Sequence, residues 1–268
     1  MHPDLSDPSA GHGGTYGVIL LYRGPQPDLR SEAWLAALPT QVDATPTACG
    51  DWLLADHRHP MTVKDRTIPA LSVVVACPVP DAEARAAALS QTWTWPGAAD
   101  AVADVRSAVY VGEMTGRALP REQRLATLLP VISGIVRATR ADAVLWLPAD
   151  YLVEPGRVRD HARDVLVNVR RFRIEGTPGG VLVDTMGLAS LGLPDLQCKV
   201  WAVEPGWITA ELRNLGGYLL EYGDVLRDGQ VVAGADRSVA WRVVSRSRAL
   251  AEPARPVLDL APVPRQPT

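Results

Sequence analysis

The segment Thr185-Met-Gly-Leu-Ala-Ser-Leu-Gly-Leu-Pro-Asp-Leu196 decides how the chain is read. Ahead of it, Val167 to Ile174 and Gly180 to Thr185 are extended runs around Thr177-Pro-Gly-Gly180, the composition of a β-hairpin. Behind it, Leu196 to Val203 is a further extended segment. Trp207 to Glu221 then places Ile208, Leu212, Leu215 and Leu219 at helical spacing. The turn Asp228-Gly229 and a strand over Val239 to Val244 close the unit. Glycines in the quoted segment admit positive φ and Pro194 stiffens its turn, so Leu188, Leu191 and Leu193 are expected to plug a core beneath a loop. Gly216-Gly217 inside the helix costs about 1 kcal/mol per residue relative to Ala. Close packing of helix on sheet, or backbone approach by a ligand, would account for the pair.

Working towards the N-terminus, residues 1–14 are rich in Gly, Ser, Pro, Asp and His, and are expected to be disordered because they bury little apolar area. Tyr16 to Tyr22 reads as a buried strand, Leu29 to Leu38 as helical, and Asp51 to Asp56 and Ile68 to Cys77 as strands. Asp81 is placed to cap a helix over Ala82 to Leu89. A second helical piece covers Ala98 to Val105, and Ala108 to Glu113 is a strand. This order is β-α-β-β-α-β, the ferredoxin-like unit. Pro120 to Arg137 forms a helix with Pro130 expected to kink or divide it. The order then repeats: a strand over Ala143 to Leu147, a helix over Pro155 to Asp164, and the elements already described. The expectation is an α+β protein of two tandem ferredoxin-like halves with mostly antiparallel sheets. The halves span 15–116 and 141–260, joined by a helix within 117–140, and 261–268 is a flexible Pro-rich tail, although Pro256 to Leu260 has the pattern to pair or pack.

Composition narrows the function. The chain has 268 residues, 47% of them hydrophobic and 21% charged, so a sizeable core is available and wholesale disorder is excluded. A net charge of -3 gives no nucleic-acid footprint. Lysine is confined to Lys64 and Lys199, which argues against lysine-based chemistry. Cys49, Cys77 and Cys198 are odd in number and widely spaced, unlike a disulfide framework. No run approaches the roughly 20 apolar residues of a membrane helix, and residues 1–14 lack the apolar region of a signal peptide. A cytoplasmic protein without a membrane association is expected.

Familiar catalytic signatures are absent: no P-loop, His-Glu-x-x-His, Cys-x-x-Cys or Gly-x-Ser-x-Gly. The glycines of Gly11 to Gly17 precede a strand and so do not form a phosphate cradle. His57 and His59 share one side of a strand, with Asp56, Asp65 and His161 as the only further candidates for a metal, but the pattern reads as a solvated hairpin loop. Glu221, Asp224 and Asp228 read as solvated turn acids. Asp184, Thr185 and Asp195 would form a polar ring at a strand end. Eight tryptophans against one Phe suggest either Trp serving as bulky core or an aromatic partner surface. For the latter, Trp93, Trp95, Trp146 and Tyr151 are the candidates.

Arg170-Arg-Phe172, Thr185-x-Gly-Leu188, Leu191-Gly-Leu-Pro-Asp-Leu196, Tyr218-Leu-Leu-Glu221, Asp228-Gly229 and Arg255-Pro-Val-Leu258 together resemble the bacterial domain of unknown function 4261. The resemblance covers the C-terminal third, from about residue 167. Upstream, Pro78-x-Pro80 and Trp93-x-Trp95-Pro96 are similar to longer members of that family. At Gln230-Val-Val232 the sequence departs from the family's acidic residue and Thr. The resemblance implies no activity, catalytic residue, metal or cofactor. The expectation is therefore a non-catalytic interaction module. It would bind a protein partner or small ligand at an aromatic groove between the halves, through Trp93, Trp95, Trp146, Tyr151, Asp184, Thr185 and Asp195. The alternatives are a hydrolase using carboxylate and histidine acid-base chemistry, and a structural subunit of a larger assembly.

Overall fold

A computed structural model describes residues 16–29, 31–159, 163–201, 204–235 and 239–264. The expected disordered segment 1–14 and His161 lie outside these residues. The chain is α+β; among the described residues the strands pair antiparallel except for one pair, and the chain divides into two compact units between residues 165 and 166.

The first unit is organised around β1 (Gly17–Tyr22). Its sequence, GVILLY, shows no polar alternation and is buried at every position, as a strand covered on both faces requires. The other strands are β2 (Val42–Pro46), β3 (Trp52–Val63), β4 (Arg66–Cys77), β5 (Ser107–Glu113), β6 (Ala143–Trp146) and β7 (Tyr151–Val153). They form one seven-stranded sheet in the order β2-β3-β4-β5-β1-β6-β7. Helices α1 (Ala82–Ser90) and α2 (Ala98–Val102) share a core cluster with Ile19, Leu21, Tyr110, Leu145 and Leu152. Asp81 caps α1 by accepting from the Ala84 N–H at 2.7 Å. Helix α3 (Arg121–Thr139) packs against β3 and β5 and buries Leu128, Val131, Ile132, Ile135 and Val136; Pro130 lies within its span. Helix α4 (Pro155–Arg159) packs on α3.

The tandem ferredoxin-like reading does not survive these pairings. In that unit the first strand lies between the third and the fourth. Here β5, expected to be the fourth, lies between β4 and β1. The reason is β2, an edge strand that the sequence reading passed over. It forms a hairpin with β3 (Val42 opposite Asp56 through Pro46 opposite Trp52), which adds a strand and reverses β3 and β4 relative to β1, while β5 stays antiparallel to β1. Residues 141–165 also sit with the first unit, since β6 pairs with β1 and β7 with β6. Helix α3 accordingly covers the first sheet and is not a connector between halves. His57 and His59 are not in a hairpin loop: β3 continues through them to Val63, with a register break between Asp56 and Met61.

Two local devices hold this sheet. Gly17 and Gly112 face each other across β1 and β5, and the Tyr110 ring occupies the space that a Cβ on either would need. Glu113 ends β5 in a buried site, where it receives the Arg124 guanidinium and the Tyr16 N–H at 3.2 Å. The same guanidinium lies 5.1 Å from the Tyr16 ring centre.

The second unit contains β8 (Asn168–Arg173), β9 (Gly180–Met186), β10 (Asp195–Trp201), α5 (Pro205–Tyr222), β11 (Val231–Ala233), β12 (Val239–Arg248) and β13 (Pro256–Pro264). Its six-stranded sheet runs β11-β12-β13-β10-β9-β8, with β10 and β13 parallel. A second ferredoxin-like unit would need two helices over the sheet; α5 is the α-helix found among the described residues of this unit. Ala261 to Pro264, expected to be a loose tail, continue β13 and pair with β12. Glu204 caps α5 through the Gly206 and Trp207 N–H groups at 2.8 and 2.6 Å. Ile208, Leu212, Leu215 and Leu219 point inward as their spacing predicts. Of the glycine pair, Gly216 is packed, a Cβ there meeting Val167 at 3.4 Å, whereas Gly217 faces open space.

Removing one partner of a buried ion pair strands the other charge in low dielectric. Arg124→Met should therefore lower unfolding free energy by about 3–5 kcal/mol, measured by urea denaturation followed by circular dichroism. A loss below about 1 kcal/mol would show that Glu113 does not depend on this partner.

Candidate functional site

Pairing across the second sheet aligns Arg170, Asp184, Gln197, Asp259 and Ser245 in a single row, one residue from each of five strands. Directly paired residues share a face, so this row lies on one side of the sheet. It is the side turned away from α5: Trp241 stacks on Trp207 of α5 at 6.1 Å, and the alternate residue Arg242, opposite Ala261, points the other way with Asp259.

The row is bonded along most of its length. Arg170 donates to Asp184 through Nε at 3.0 Å and a terminal nitrogen at 2.7 Å. Gln197 Nε2 donates to Asp259 Oδ1, and Ser245 Oγ donates to Asp259 Oδ2 at 3.3 Å. The segment 249–255, between β12 and β13, covers one end. From it Leu250 N–H donates to Gln197 Oε1 at 3.0 Å, and the Glu252 carbonyl accepts from Arg170 at 2.8 Å. Arg255 enters beneath this segment, donating to Asp184 and, at 3.2 Å, to Asp195. Asp195 also accepts from Thr185 Oγ1 at 2.9 Å and from the Leu188 and Ala189 N–H groups. Thr185 Oγ1 in turn accepts from the Leu196 N–H at 2.8 Å. Two arginines thus face two aspartates at full burial, which satisfies the requirement that buried charges be paired.

Strand β10 leads from this buried cluster to the surface. Its residues on the row's face are Asp195, Gln197, Lys199 and Trp201. Their exposure rises from 0% and 2% at the first two to an open Lys199 and a Trp201 that is 56% exposed. The open end is a groove of about 740 Å³ with Gln197 and Asp259 in its floor. Leu182, Trp201, Leu250 and Pro262 supply its apolar walls, and Lys199 and Arg248 its cations.

The residues expected to bind fall differently. Asp184, Thr185 and Asp195 do come together, but at 0% exposure; they are the buried support and not a surface ring. Trp146 and Tyr151 are core residues of the first unit, Trp146 set edge-on to Tyr16 at 6.2 Å and Tyr151 donating to the Val165 carbonyl at 2.8 Å. Trp95 packs against the α1–α2 core, while Trp93 is exposed. His57 hydrogen-bonds Asp43 at 3.0 Å, and Asp56 binds Arg58; no cluster of three metal-ligating side chains occurs among the described residues. Asp224 pairs with Arg246, as a surface turn acid does.

Gln197, Lys199, Trp201, Arg248 and Asp259 were not anticipated. A signal for part of this set is present in Asp195-Leu-Gln-Cys-Lys-Val-Trp201, where apolar Leu196, Cys198 and Val200 alternate with the groove side. That is the period of a strand with unlike faces.

Arg255→Met should leave Asp184 and Asp195 undercompensated and lower stability by about 3–5 kcal/mol in denaturant titration. Burial pushes the Asp195 carboxyl from 3.8 up to about 6, against the opposing pull of Arg255, Thr185 and the two N–H groups. The folded state therefore takes up this proton before the unfolded chain does. The group's contribution to stability is present below pH 4 and is lost as pH rises through 6. Asp195→Asn should remove that slope, so that wild type loses up to about 3 kcal/mol relative to the variant between pH 4 and 7. Parallel pH profiles for the two proteins would refute the assignment.

No curated protein and no solved structure matches the chain. The model of a family described as a domain of unknown function (DUF4261) matches residues 184–261, the stretch that runs from Asp184 of the polar row through α5 to β13, in agreement with the resemblance read over the C-terminal third.

Proposed function

We propose that the chain is a non-catalytic binding module of the cytoplasm whose binding site is the groove on the open face of the second sheet. The observation that carries this reading is the gradient along β10, from a locked polar floor at Asp195 and Gln197 to an exposed Lys199 and Trp201 at the rim. A fixed floor below an aromatic rim is the arrangement that lowers the ordering cost of binding. The groove volume also falls within the roughly 300–1,000 Å³ common for small-ligand sites. Free thiols at Cys49, Cys77 and Cys198 support a reducing compartment. No helix of the described residues is long and apolar enough to cross a membrane.

The hydrolase alternative draws no support from the carboxylates nominated for it. Asp184 and Asp195 have no exposed surface, and every polar neighbour given above is a donor already directed at them. A general acid or base must reach the proton it transfers.

Trp201 is exposed, so Trp201→Ala should change stability by less than about 0.5 kcal/mol. The same variant should weaken binding of an apolar fluorescent probe such as N-phenyl-1-naphthylamine by tenfold or so, since a ring in contact with a ligand contributes about 1–2 kcal/mol. Unchanged probe affinity in a fully folded variant would remove the groove from consideration.

A further inference from the structure

We infer that the groove selects a small amphiphilic anion: a carboxylate, sulfonate or phosphate group on an aromatic or acyl body. The inference rests on the groove being the binding site and adds the chemistry of its ligand.

Charge is the first argument. Arg170, Arg246 and Arg255 of this unit each hold a carboxylate. Lys199 and Arg248, which line the groove, have no ion pair among the described residues, and both are exposed. Arg242 is a further exposed cation on the face of Lys199 and Asp259, opposite Ala261 of the groove wall. The carboxylate that lines the groove, Asp259, already accepts from Gln197 and Ser245. It lies in the row of Gln197, and Lys199 is two residues further along β10, about 7 Å away. An anion at the Lys199 end thus meets that ammonium before it meets Asp259, while Arg248, opposite Pro256, lines the groove from the other side of the row. The whole chain carries a net charge of -3, so this local excess of cations runs against the average.

Shape is the second argument. Trp201 offers a broad exposed ring, and Leu182, Leu250 and Pro262 extend the apolar wall. An ammonium beside such a wall suits a ligand with a charged head and an apolar body, because a fully polar ligand would leave the wall wet. The groove of about 740 Å³ is of small-molecule size, whereas a stable protein interface needs about 800 Å² from each partner. Two lining cations are also too few to track a nucleic-acid backbone, where each neutralised phosphate requires its own.

The test compares 8-anilinonaphthalene-1-sulfonate with its uncharged relative N-phenyl-1-naphthylamine, each titrated by fluorescence into the full chain at low salt. The sulfonate should bind about tenfold more tightly, the effect of one charge-assisted contact. Lys199→Gln combined with Arg248→Gln should abolish that preference while leaving affinity for the neutral probe intact. Lys199→Glu should reverse it. Equal affinity of the two probes for wild type, or a preference that persists in the double variant, overturns the anion assignment and leaves the groove standing. Loss of neither probe in Trp201→Ala overturns the groove itself. Octanoate should displace the sulfonate probe more effectively than hexaglutamate at equal concentration. The opposite order overturns the small-molecule assignment in favour of an acidic peptide.

Discussion

Burying Arg170, Asp184, Asp195 and Arg255 together is the constraint on which the second unit depends. A charge taken out of water is tolerated only when it is paired and its remaining hydrogen-bonding capacity is met. Here those conditions are met by residues from three strands and the segment before a fourth: Arg170 on β8, Asp184 on β9, Asp195 on β10 and Arg255 just ahead of β13. A slip of one residue in any of these strands would turn its member to the other face and leave its partners bare. The cluster therefore fixes register across the sheet. It also accounts for the position of β13, whose parallel pairing with β10 begins at Asp195 opposite Val257, two residues after Arg255.

The two units treat their sheets differently. In the first, β1 is apolar on both faces and cores form on each side of it, so that sheet offers little to solvent at its centre. In the second, α5 covers one face and the polar row occupies the other. A sheet with one wet face needs something to keep that face from acting as a sticky surface. Ion pairs and amide bonds do so at the covered end, and Lys199 and Arg242 do so at the open end. The groove is what remains where the covering segment stops and the apolar walls of Leu182 and Pro262 begin.

The parts legible in sequence were those decided by local pattern: β1 from its unbroken apolar run, α5 from its inward leucines, and the β8–β9 hairpin from Thr177-Pro-Gly-Gly180. Strand β2 was hidden because Val42-Asp-Ala-Thr-Pro46 is an edge strand with little buried surface, so neither alternation nor apolarity marks it. Missing it changed the predicted topology, since the extra strand reverses β3 and β4 relative to β1 while β5 keeps its sense. Strand β13 was masked by its prolines. Up to Leu260 it pairs on both sides, whereas Pro262 and Pro264 lie beyond the last residue paired with β10 and have β12 alone as partner. A proline is tolerated where its missing N–H has no partner to serve. At the site, Asp184, Thr185 and Asp195 were recognised as a group, but the arginines that neutralise them lie 14, 60 and 71 residues away, beyond the reach of spacing arguments. The tryptophans divide. Trp146 and Trp241 do the work of large core residues, while Trp93 and Trp201 remain at the surface.

The division between floor and rim bears on how such a site acquires specificity. Gln197 and Asp259 are engaged with each other and with Ser245 and Leu250, so a ligand gains no new hydrogen bond there without breaking an old one, an exchange of small net benefit. At the proposed site, discrimination would then fall to Lys199, Trp201 and Arg248, none of which contributes to the buried cluster. On that proposal, substitution at these three positions would alter what is bound without touching the ion pairs that set the register. Substitution at Asp184 or Arg255 has the reverse effect, removing the sheet's alignment and with it the groove. On this proposal the residues that specify the fold are distinct from those that would specify the ligand, and along β10 the two sets adjoin, Asp195 and Gln197 leading to Lys199 and Trp201.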